Sequence, residues 1–204
     1  MSEVATTTNR DLSILDLQHA AKRLGVTLAA IQAVCEVESS GAGFLKDGHP
    51  KILFERHVMY RLMKQAGKDA DAYVEQYGNV INPLRGGYKG GKYEHARFVI
   101  AHMIDPDCAI GACSWGRFQI MGYHWQRLGY ASATAFAEAM KRDERSQLDA
   151  FVAFILADEH LLRALRARDW VTFARLYNGP AYRDNRYDTK LANAYAQFSA
   201  KVPA

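Results

Sequence analysis

The sequence lacks any apolar segment that approaches the roughly 18 residues a membrane-spanning helix requires. Its first residues, MSEVATTTNRDLS, contain no basic start followed by an apolar run, which is the pattern of a secretory signal peptide. We therefore expect no signal peptide, no stable membrane insertion and synthesis in the cytoplasm. Any route across a membrane must then be supplied by something else.

Cysteine is scarce as well. Three cysteines, Cys35, Cys108 and Cys113, occur in 204 residues. A small and odd number argues against a secreted scaffold held by disulfide bonds and favours a reducing compartment. Cys108 and Cys113 are close enough in sequence to form a bond, but three free thiols are the expectation.

Motifs for metal ions, cofactors and nucleic acids are missing. The sequence has no HExxH, no CxxC and no phosphate-binding glycine loop, and its seven histidines are scattered, so we predict no metal site and no cofactor. The segment RGGYKGGKY (85–93) carries basic and aromatic residues that could follow a nucleic-acid strand. No pair of basic helices or known binding motif accompanies this segment, and no nucleic-acid partner is expected.

The composition is that of a globular protein. Hydrophobic residues make up 49% of the chain, enough for a substantial core, and charged residues make up 24%. The net charge of +4 suits an anionic partner such as nucleic acid, a membrane surface or a bacterial wall polymer, without choosing among them. The length suits one domain, which we place at residues 11–204 after a loosely packed tail at 1–10.

Apolar residues at helical spacing dominate the chain, which predicts a mainly α fold. Gly25 is expected to end a first helix, Thr27 to begin a second, and Asp169 to begin another near the C-terminus. The segment KILFE (51–55) alternates like a short strand, and a small hairpin is predicted near residues 50–56.

The segment VCEVESSGAGF (34–44) ends a helical pattern with two glutamates. On a helix, Glu38 lies within about 20° of Ile31, whereas Glu36 lies about 140° away. Burial and the negative end of the helix dipole should both raise the pKa of Glu38. A carboxylic acid that is protonated near neutral pH suits general-acid cleavage of a glycosidic bond. The alternative for Glu38 is an ordinary capping or ion-paired glutamate, and Glu36 is expected to be a surface charge.

Cleavage of a glycosidic bond usually involves a second carboxylate. Glu55 is the best candidate, because it lies where the predicted strand meets the next helix and points away from Phe54. If Phe54 is buried, Glu55 faces a cleft. The alternative is an ion pair between Glu55 and the neighbouring Arg56. Glu94 is a weaker candidate and is expected to be either a surface charge or a charge in the first turn of a helix.

Two segments contain side chains suited to a sugar that carries N-acetyl groups. In SWGRFQIMGYH (114–124), aromatic faces can stack on a sugar ring, and an amide can both donate to and accept from an acetamido group. LYNGPAY (176–182) adds polar residues at a helix end. The alternatives are a core helix for the first segment and a glycine-proline helix stop for the second. The candidate substrate-binding residues are Ser114, Trp115, Gln119, Tyr123, Tyr177 and Asn178.

Six segments, taken together, resemble a known family: AVCEVESSGAGF, ILFERH, SWGRFQIMGYHW, AFVAFI, DWVTFARLYNGPAY and YDTKLANAY. In this order, over residues 27–198, they are similar to the N-acetylmuramidase family of phage endolysins and related bacterial proteins. That family belongs to the wider lysozyme-like group. The resemblance implies one mainly α, lysozyme-like domain with a small β-hairpin beside the cleft.

The resemblance also implies a reaction. It is hydrolysis of the β-1,4 bond between N-acetylmuramic acid and N-acetylglucosamine in bacterial peptidoglycan, which causes lysis. By position, Glu38 would be the general acid and Glu55 the second carboxylate, while Gln119 and Tyr177 would line the saccharide groove. An endolysin of this kind would act as a monomer on glycan strands in the periplasm. It would reach them from the host cytoplasm after release by a holin or a similar system.

Endolysins of this family often carry an N-terminal wall-binding module, but only 26 residues precede the resemblance. Wall targeting is therefore expected to come from the catalytic domain itself. Two other functions stay open. A lytic transglycosylase would use one glutamate and the sugar's own hydroxyl group and leave a 1,6-anhydro product, and Glu55 is the feature that argues against it. A wall-binding protein without catalytic activity would not require Glu38 on an apolar face, where a buried carboxyl group lowers the stability of the fold.

Overall fold

The computed structural model describes residues 10–39 and 41–201. Over these residues the chain is mainly α, as predicted, with eleven α-helices and three short strands. The predicted tail at 1–10 lies outside the described residues, apart from Arg10.

Helices make up most of the chain, with a single small sheet between them. The helices are α1 (Ile14–Leu24), α2 (Leu28–Glu38), α3 (Arg56–Gln65), α4 (Asp71–Tyr77), α5 (Lys92–Ile104), α6 (Pro106–Gly111), α7 (Ala133–Arg142), α8 (Glu144–Leu156), α9 (Glu159–Ala167), α10 (Trp170–Asn178) and α11 (Tyr187–Ala200). The strands are β1 (Ile52–Phe54), β2 (Cys113–Trp115) and β3 (Ile120–Met121). Short 3-10 turns cover Gly122–His124 and Pro180–Arg183.

The predicted helix boundaries are confirmed by their caps. Gly25 ends α1 in a left-handed conformation with a φ of 67°. The Thr27 side chain accepts a hydrogen bond from the Ala30 amide at the start of α2. Asp169 caps α10 in the same way by accepting from the Thr172 amide. These contacts satisfy amide groups that a helix end leaves without a partner.

The sheet joins two distant parts of the chain. β1 pairs antiparallel with β2, with Leu53 opposite Ser114, and β2 pairs antiparallel with β3 in a hairpin. The strand predicted within 51–55 therefore forms, but the hairpin is made by β2 and β3 and not by residues 50–56. The pairing brings Glu55, at the end of β1, beside the hairpin segment that was predicted to bind sugar.

A buried ion pair fixes the glycine-rich loop, residues 85–91, that precedes α5. Glu94 is fully buried, and its carboxylate pairs with Arg97 at 2.7 Å and accepts hydrogen bonds from the amides of Phe54, Lys89 and Gly90. Burial alone would raise the pKa of Glu94, but these hydrogen bonds and Arg97 hold it below its usual value. Glu94 lies in the first turn of α5, as one of the two expectations had it, but it is not a surface charge, because four donors compensate for its burial.

The segment that follows α2 passes very close to its neighbours. A Cβ atom at Gly43 would lie 2.0 Å from Oε1 of Gln147, so only glycine fits there. The Gly43 amide donates to the buried carboxylate of Glu144 at 2.5 Å, and the other oxygen of that carboxylate accepts from Arg117. These contacts fix the chain directly after Glu38.

All three cysteines are buried free thiols. Burial raises the pKa of Cys35 and Cys108 to about 12, so both thiols stay protonated at neutral pH. The cysteines therefore behave as small core residues.

Residues 10–39 and 41–201 contain neither a membrane span nor a metal cluster. No helix in these ranges is long and apolar enough to cross a bilayer. No three histidine, cysteine, aspartate or glutamate side chains in the same ranges lie together as metal ligands would.

Candidate active site

Glu38 is the last residue of α2, whose apolar face lies in the core. Ile31 and Val34 on that face are fully buried, Glu38 is half-buried and Glu36 is exposed. The predicted difference between the two glutamates is confirmed. Because α2 packs against α1 and α11, its C-terminal end is held firmly, and with it the Glu38 side chain.

A cavity of about 520 Å³ lies beside Glu38. Its walls come from the end of α2, the β2–β3 hairpin with the turn after it, and helices α8, α10 and α11. Four of the six predicted substrate-binding residues line it. The full set of lining residues is Glu38, Phe118, Gln119, Ile120, Met121, Tyr123, His124, Phe154, Tyr177, Asn178 and Tyr187.

Glu38 is an acid that keeps its proton close to neutral pH. Burial raises the pKa of Glu38 to about 7, although a hydrogen bond from Asn178 and the charge of Lys190 lower it. The Asn178 amide nitrogen donates to Oε1 of Glu38 at 3.0 Å. In the described part of the chain, Oε2 of Glu38 has no hydrogen-bond partner. A proton on Oε2 is therefore available to a bound ligand.

Helix α10 brings two predicted residues to the cavity. The Tyr177 hydroxyl donates to the Phe118 carbonyl at 3.0 Å, which ties α10 to the loop of the β2–β3 hairpin. The Tyr177 ring lies parallel to that of Phe173, with the centroids 5.8 Å apart. Tyr177 thus braces the cavity wall, and Asn178, the next residue, reaches the carboxyl group of Glu38.

Gln119 lines the cavity with its side-chain amide already oriented. The Ser114 hydroxyl donates to Oε1 of Gln119 at 2.7 Å, and Nε2 of Gln119 donates to the Gly116 carbonyl at 2.8 Å. Gln119 has a φ of 50°, a left-handed conformation that is uncommon for residues other than glycine. Ser114 is itself buried, so it positions Gln119 from behind and does not line the cavity.

Trp115 belongs to the core, which contradicts its predicted role in stacking on a sugar. It is 1% exposed, and its indole nitrogen donates to the Ile110 carbonyl at 3.1 Å. The edges of two rings, Phe98 and Phe136, pack against it at centroid distances of 5.5 and 6.4 Å. All three residues of β2 are buried, because this strand lies between β1 and β3 and its side chains are covered on both faces, and the segment alone does not show this.

Replacing Trp115 with phenylalanine should lower the free energy of unfolding by about 2 kcal/mol, because a smaller ring leaves a cavity and the indole hydrogen bond is lost. Activity per folded molecule should change little. Urea unfolding and peptidoglycan turnover measure the two quantities, with Trp170→Phe at the start of α10 as a matched control. A several-fold rise in KM with unchanged stability would instead indicate that Trp115 contacts the substrate.

Glu55 precedes α3 and lines a second cavity, of about 340 Å³. The neighbouring Phe54 is fully buried, so Glu55 faces the cavity as the alternation of β1 predicts. The alternative of an ion pair with Arg56 is wrong. The Arg56 guanidinium donates instead to the carbonyl groups of Gly78, Leu84 and Arg85.

Two neighbours hold the carboxylate of Glu55. The Tyr88 hydroxyl donates to Oε2 at 2.6 Å, and Nδ1 of His57 lies 3.2 Å from the same oxygen without hydrogen-bond alignment. Burial and nearby arginines lower the pKa of His57, although Glu55 opposes this, so the imidazole is neutral at pH 7. Oε1 of Glu55 has no hydrogen-bond partner in the described ranges and is free to accept one from water.

The two cavities adjoin, because Met121 and Tyr123 line both. Glu38 and Glu55 therefore line two cavities that share part of a wall, which we call the groove. A protonated carboxylic acid in one cavity and a second carboxyl group in the other are the groups that glycosidic cleavage requires.

Several residues around this groove were not predicted as site residues from the sequence, among them His57, Tyr88, His124 and Tyr187. His57 stands in the segment ILFERH and could have been found from its place two residues after Glu55. Tyr88 reaches Glu55 from the glycine-rich loop, a long-range contact that no local pattern shows. Burial lowers the pKa of His124 to about 4, so this ring is neutral and forms part of the wall.

Comparisons with known proteins found a matching family and a similar solved structure. The family model described as muramidase, N-acetylmuramidase, matches residues 27–199. The crystal structure of Burkholderia AP3 phage endolysin superposes with a TM-score of 0.92 at 52% sequence identity, covering 97% of this chain and 75% of that one. The search among curated proteins gave no match.

Proposed function

Because the chain belongs to the N-acetylmuramidase family, and is therefore a glycoside hydrolase that acts on bacterial peptidoglycan, we propose that Glu38 is its general acid and Glu55 its second carboxylate. One observation carries this assignment. A half-buried acid with a pKa of about 7 and a carboxylate held by Tyr88 line adjoining parts of one groove.

In the proposed reaction, Glu38 gives its proton to the oxygen of the β-1,4 bond as this oxygen leaves C1 of N-acetylmuramic acid. The Asn178 amide occupies Oε1 as a donor, so the transferable proton is carried by Oε2. The half-buried position keeps a large fraction of Glu38 protonated at neutral pH.

Glu55 takes the proton of the water molecule that attacks C1 from the opposite face of the sugar. Its Oε2 is engaged by Tyr88, which leaves Oε1 to accept the proton. We propose an inverting course. Inverting glycosidases keep their two carboxyl groups roughly 6.5–9.5 Å apart to admit water, and Oε1 of Glu55, which has no hydrogen-bond partner in the described ranges, is able to hold such a water.

Gln119, Tyr123, Tyr177 and Asn178 are the proposed saccharide contacts, because they line the cavity beside Glu38. Ser114 contributes indirectly, by holding the amide of Gln119. Trp115 is not among the proposed saccharide contacts, because it is buried in the core.

The remaining expectations follow from the family. We propose that the enzyme acts as a monomer on glycan strands without a nucleic-acid partner. We also propose that it reaches the periplasmic face of the wall through a holin or a similar release system. Its preference for hydrolysis over transglycosylation is supported by Glu55, which a transglycosylase does not need.

Replacing Asn178 with alanine tests the role of Glu38 through pH dependence. The Asn178 hydrogen bond lowers the pKa of Glu38, so its loss should raise that pKa further. Activity declines as Glu38 loses its proton, and we expect the alkaline limb of the kcat/KM profile to move from near pH 7 to higher pH by roughly half a unit to one unit. Release of reducing ends from purified peptidoglycan between pH 5 and 9 gives the profile.

Asn193→Ala, at an exposed position of α11, is the matched control and should leave the profile in place. An unchanged alkaline limb in Asn178→Ala would mean that the limb reports a group other than Glu38.

A further inference from the structure

The cavity around Glu55 is rich in positive charge. Two guanidinium groups line it, those of Arg61 on α3 and of Arg85 on the glycine-rich loop, and both side chains are exposed. Neither has an ion-pair partner in the described ranges 10–39 and 41–201. Both charges act on His57, because they lower its pKa while Glu55 raises it. Two cations without an ion-pair partner in the described ranges thus line the same cavity as Glu55, whose carboxylate is already bound by Tyr88.

Arg61 is held at the junction of the two cavities. Its guanidinium lies over the Tyr123 ring, 5.3 Å from the centroid, and Tyr123 lines both cavities. A guanidinium that uses its planar face on an aromatic ring keeps its N–H edge free for a ligand. The stacking therefore fixes Arg61 without using its hydrogen-bond donors.

Arg85 is held by its backbone and not by its side chain. Its carbonyl accepts a hydrogen bond from Arg56 at 2.9 Å, and the next residue, Gly86, has a φ of 103° that favours glycine. The guanidinium of Arg56 donates hydrogen bonds to backbone carbonyl groups of this segment, whereas the Arg85 guanidinium makes no hydrogen bond of this kind in the described ranges. The loop thus presents a free cation to the groove.

We propose that Arg61 and Arg85 bind a carboxylate carried by the 3-O-lactyl substituent of the muramic acid residue next to Glu55, which rests on the proposed function of the groove. Carboxylate geometry matches the donor edge of a guanidinium. The lactyl substituent distinguishes the two alternating sugars of peptidoglycan, and it ends either in a free carboxylate or in a stem peptide that carries carboxylates. Binding this group would fix which of the two glycosidic bonds lies at Glu38.

The test compares three forms of purified peptidoglycan: native, carboxyl-amidated with carbodiimide and methylamine, and stripped of stem peptides by an amidase. Wild-type protein should prefer native over amidated substrate about tenfold in kcat/KM, mainly through KM. In Arg61→Ala/Arg85→Ala this ratio should fall close to one, and high salt should weaken the wild-type preference. The double variant Arg61→Lys/Arg85→Lys should keep an intermediate ratio, because the charge remains and the forked geometry is lost.

The stripped substrate identifies the source of the carboxylate. In native substrate the lactyl carboxyl group is in an amide bond to the stem peptide, so the native-to-amidated ratio reports stem-peptide carboxylates, whereas the amidase frees the lactyl carboxylate itself. A preference for stripped substrate over its own carbodiimide-amidated form that is lost in Arg61→Ala/Arg85→Ala would assign binding to the lactyl carboxylate. Arg142→Ala/Arg163→Ala, which replaces exposed arginines on α7 and α9, removes the same net charge and should leave the ratio unchanged.

Because the readout is a ratio between substrates within one variant, partial unfolding of a variant cancels from it. An equal ratio in wild type and Arg61→Ala/Arg85→Ala would overturn the proposal. Failure of the catalytic assignment would look different, as undiminished cleavage by a Glu38 variant on all three substrates.

Discussion

Glu38→Gln should reduce kcat for peptidoglycan cleavage on the order of 10³-fold, with little change in KM. Glutamine has nearly the same shape and can keep the contact with Asn178, but it has no proton to give to the glycosidic oxygen. Because the loss concerns a step that occurs only in the transition state, it should appear in kcat. Reducing-end release under substrate saturation measures it.

The same substitution should stabilise the fold at alkaline pH. The pKa of Glu38 is about 7 in the folded chain, and its ordinary value, which applies to the unfolded chain, is 4.5. Between these two pH values the folded chain therefore binds one proton that the unfolded chain has lost. The free energy of unfolding of the wild type therefore falls as the pH rises through this window, by roughly 3 kcal/mol at most. Glutamine stays neutral, so Glu38→Gln should exceed the wild type in stability at pH 8 and match it near pH 4.

Glu36→Gln is the matched control, since Glu36 is exposed on the same helix. It should retain both activity and the pH dependence of stability. If Glu38→Gln cleaves at a near-normal rate, another group supplies the proton. If Glu38→Gln is inactive but no more stable than the wild type at pH 8, the surroundings of Glu38 do not disfavour its charged carboxylate.

Glu55→Ala should give the second-largest loss, about 10²-fold or more in kcat, because no other described carboxylate lines the second cavity to activate water. Added azide should partly restore turnover, since this anion can attack C1 without a base and fits the space left by the side chain. The glycosyl azide formed should have inverted configuration. Mass spectrometry and proton NMR identify this product.

Glu75→Ala, at an exposed position of α4, controls for a general loss of negative charge and should be fully active. A rise in KM alone in Glu55→Ala would mean that Glu55 contributes ground-state contacts only. The first product released by the wild type, observed by proton NMR before mutarotation, separates the two courses: inverted configuration supports Glu55 as a base, and retained configuration would point to a covalent intermediate.

The sequence predicted the parts of this site that depend on local periodicity. Helical spacing places Glu38 and Glu36 on different faces of α2, and strand alternation points the side chains of Glu55 and Phe54 in opposite directions. Both patterns were correct because each belongs to a single regular element with a strongly apolar face. The helix boundaries at Gly25 and Thr27 were predictable for the same reason, since caps are local chemistry.

Features that depend on pairing between distant segments could not be read in this way. Trp115 looks like a sugar platform in its segment, and only the pairing of β2 with both β1 and β3 shows that it points into the core. Glu94 looks like a helix-start charge, and its burial depends on donors from the loop before α5 and from β1. The contact between Tyr88 and Glu55 is equally nonlocal.

Mass spectrometry of fragments released from purified peptidoglycan in ¹⁸O-labelled water tests the central claim most directly. If Glu38 protonates the leaving oxygen and Glu55 delivers water, every new end must be a reducing N-acetylmuramic acid that carries one ¹⁸O atom at C1. Fragments that end in 1,6-anhydro-N-acetylmuramic acid, one water lighter and without the label, would contradict hydrolysis and assign the groove to a transglycosylase.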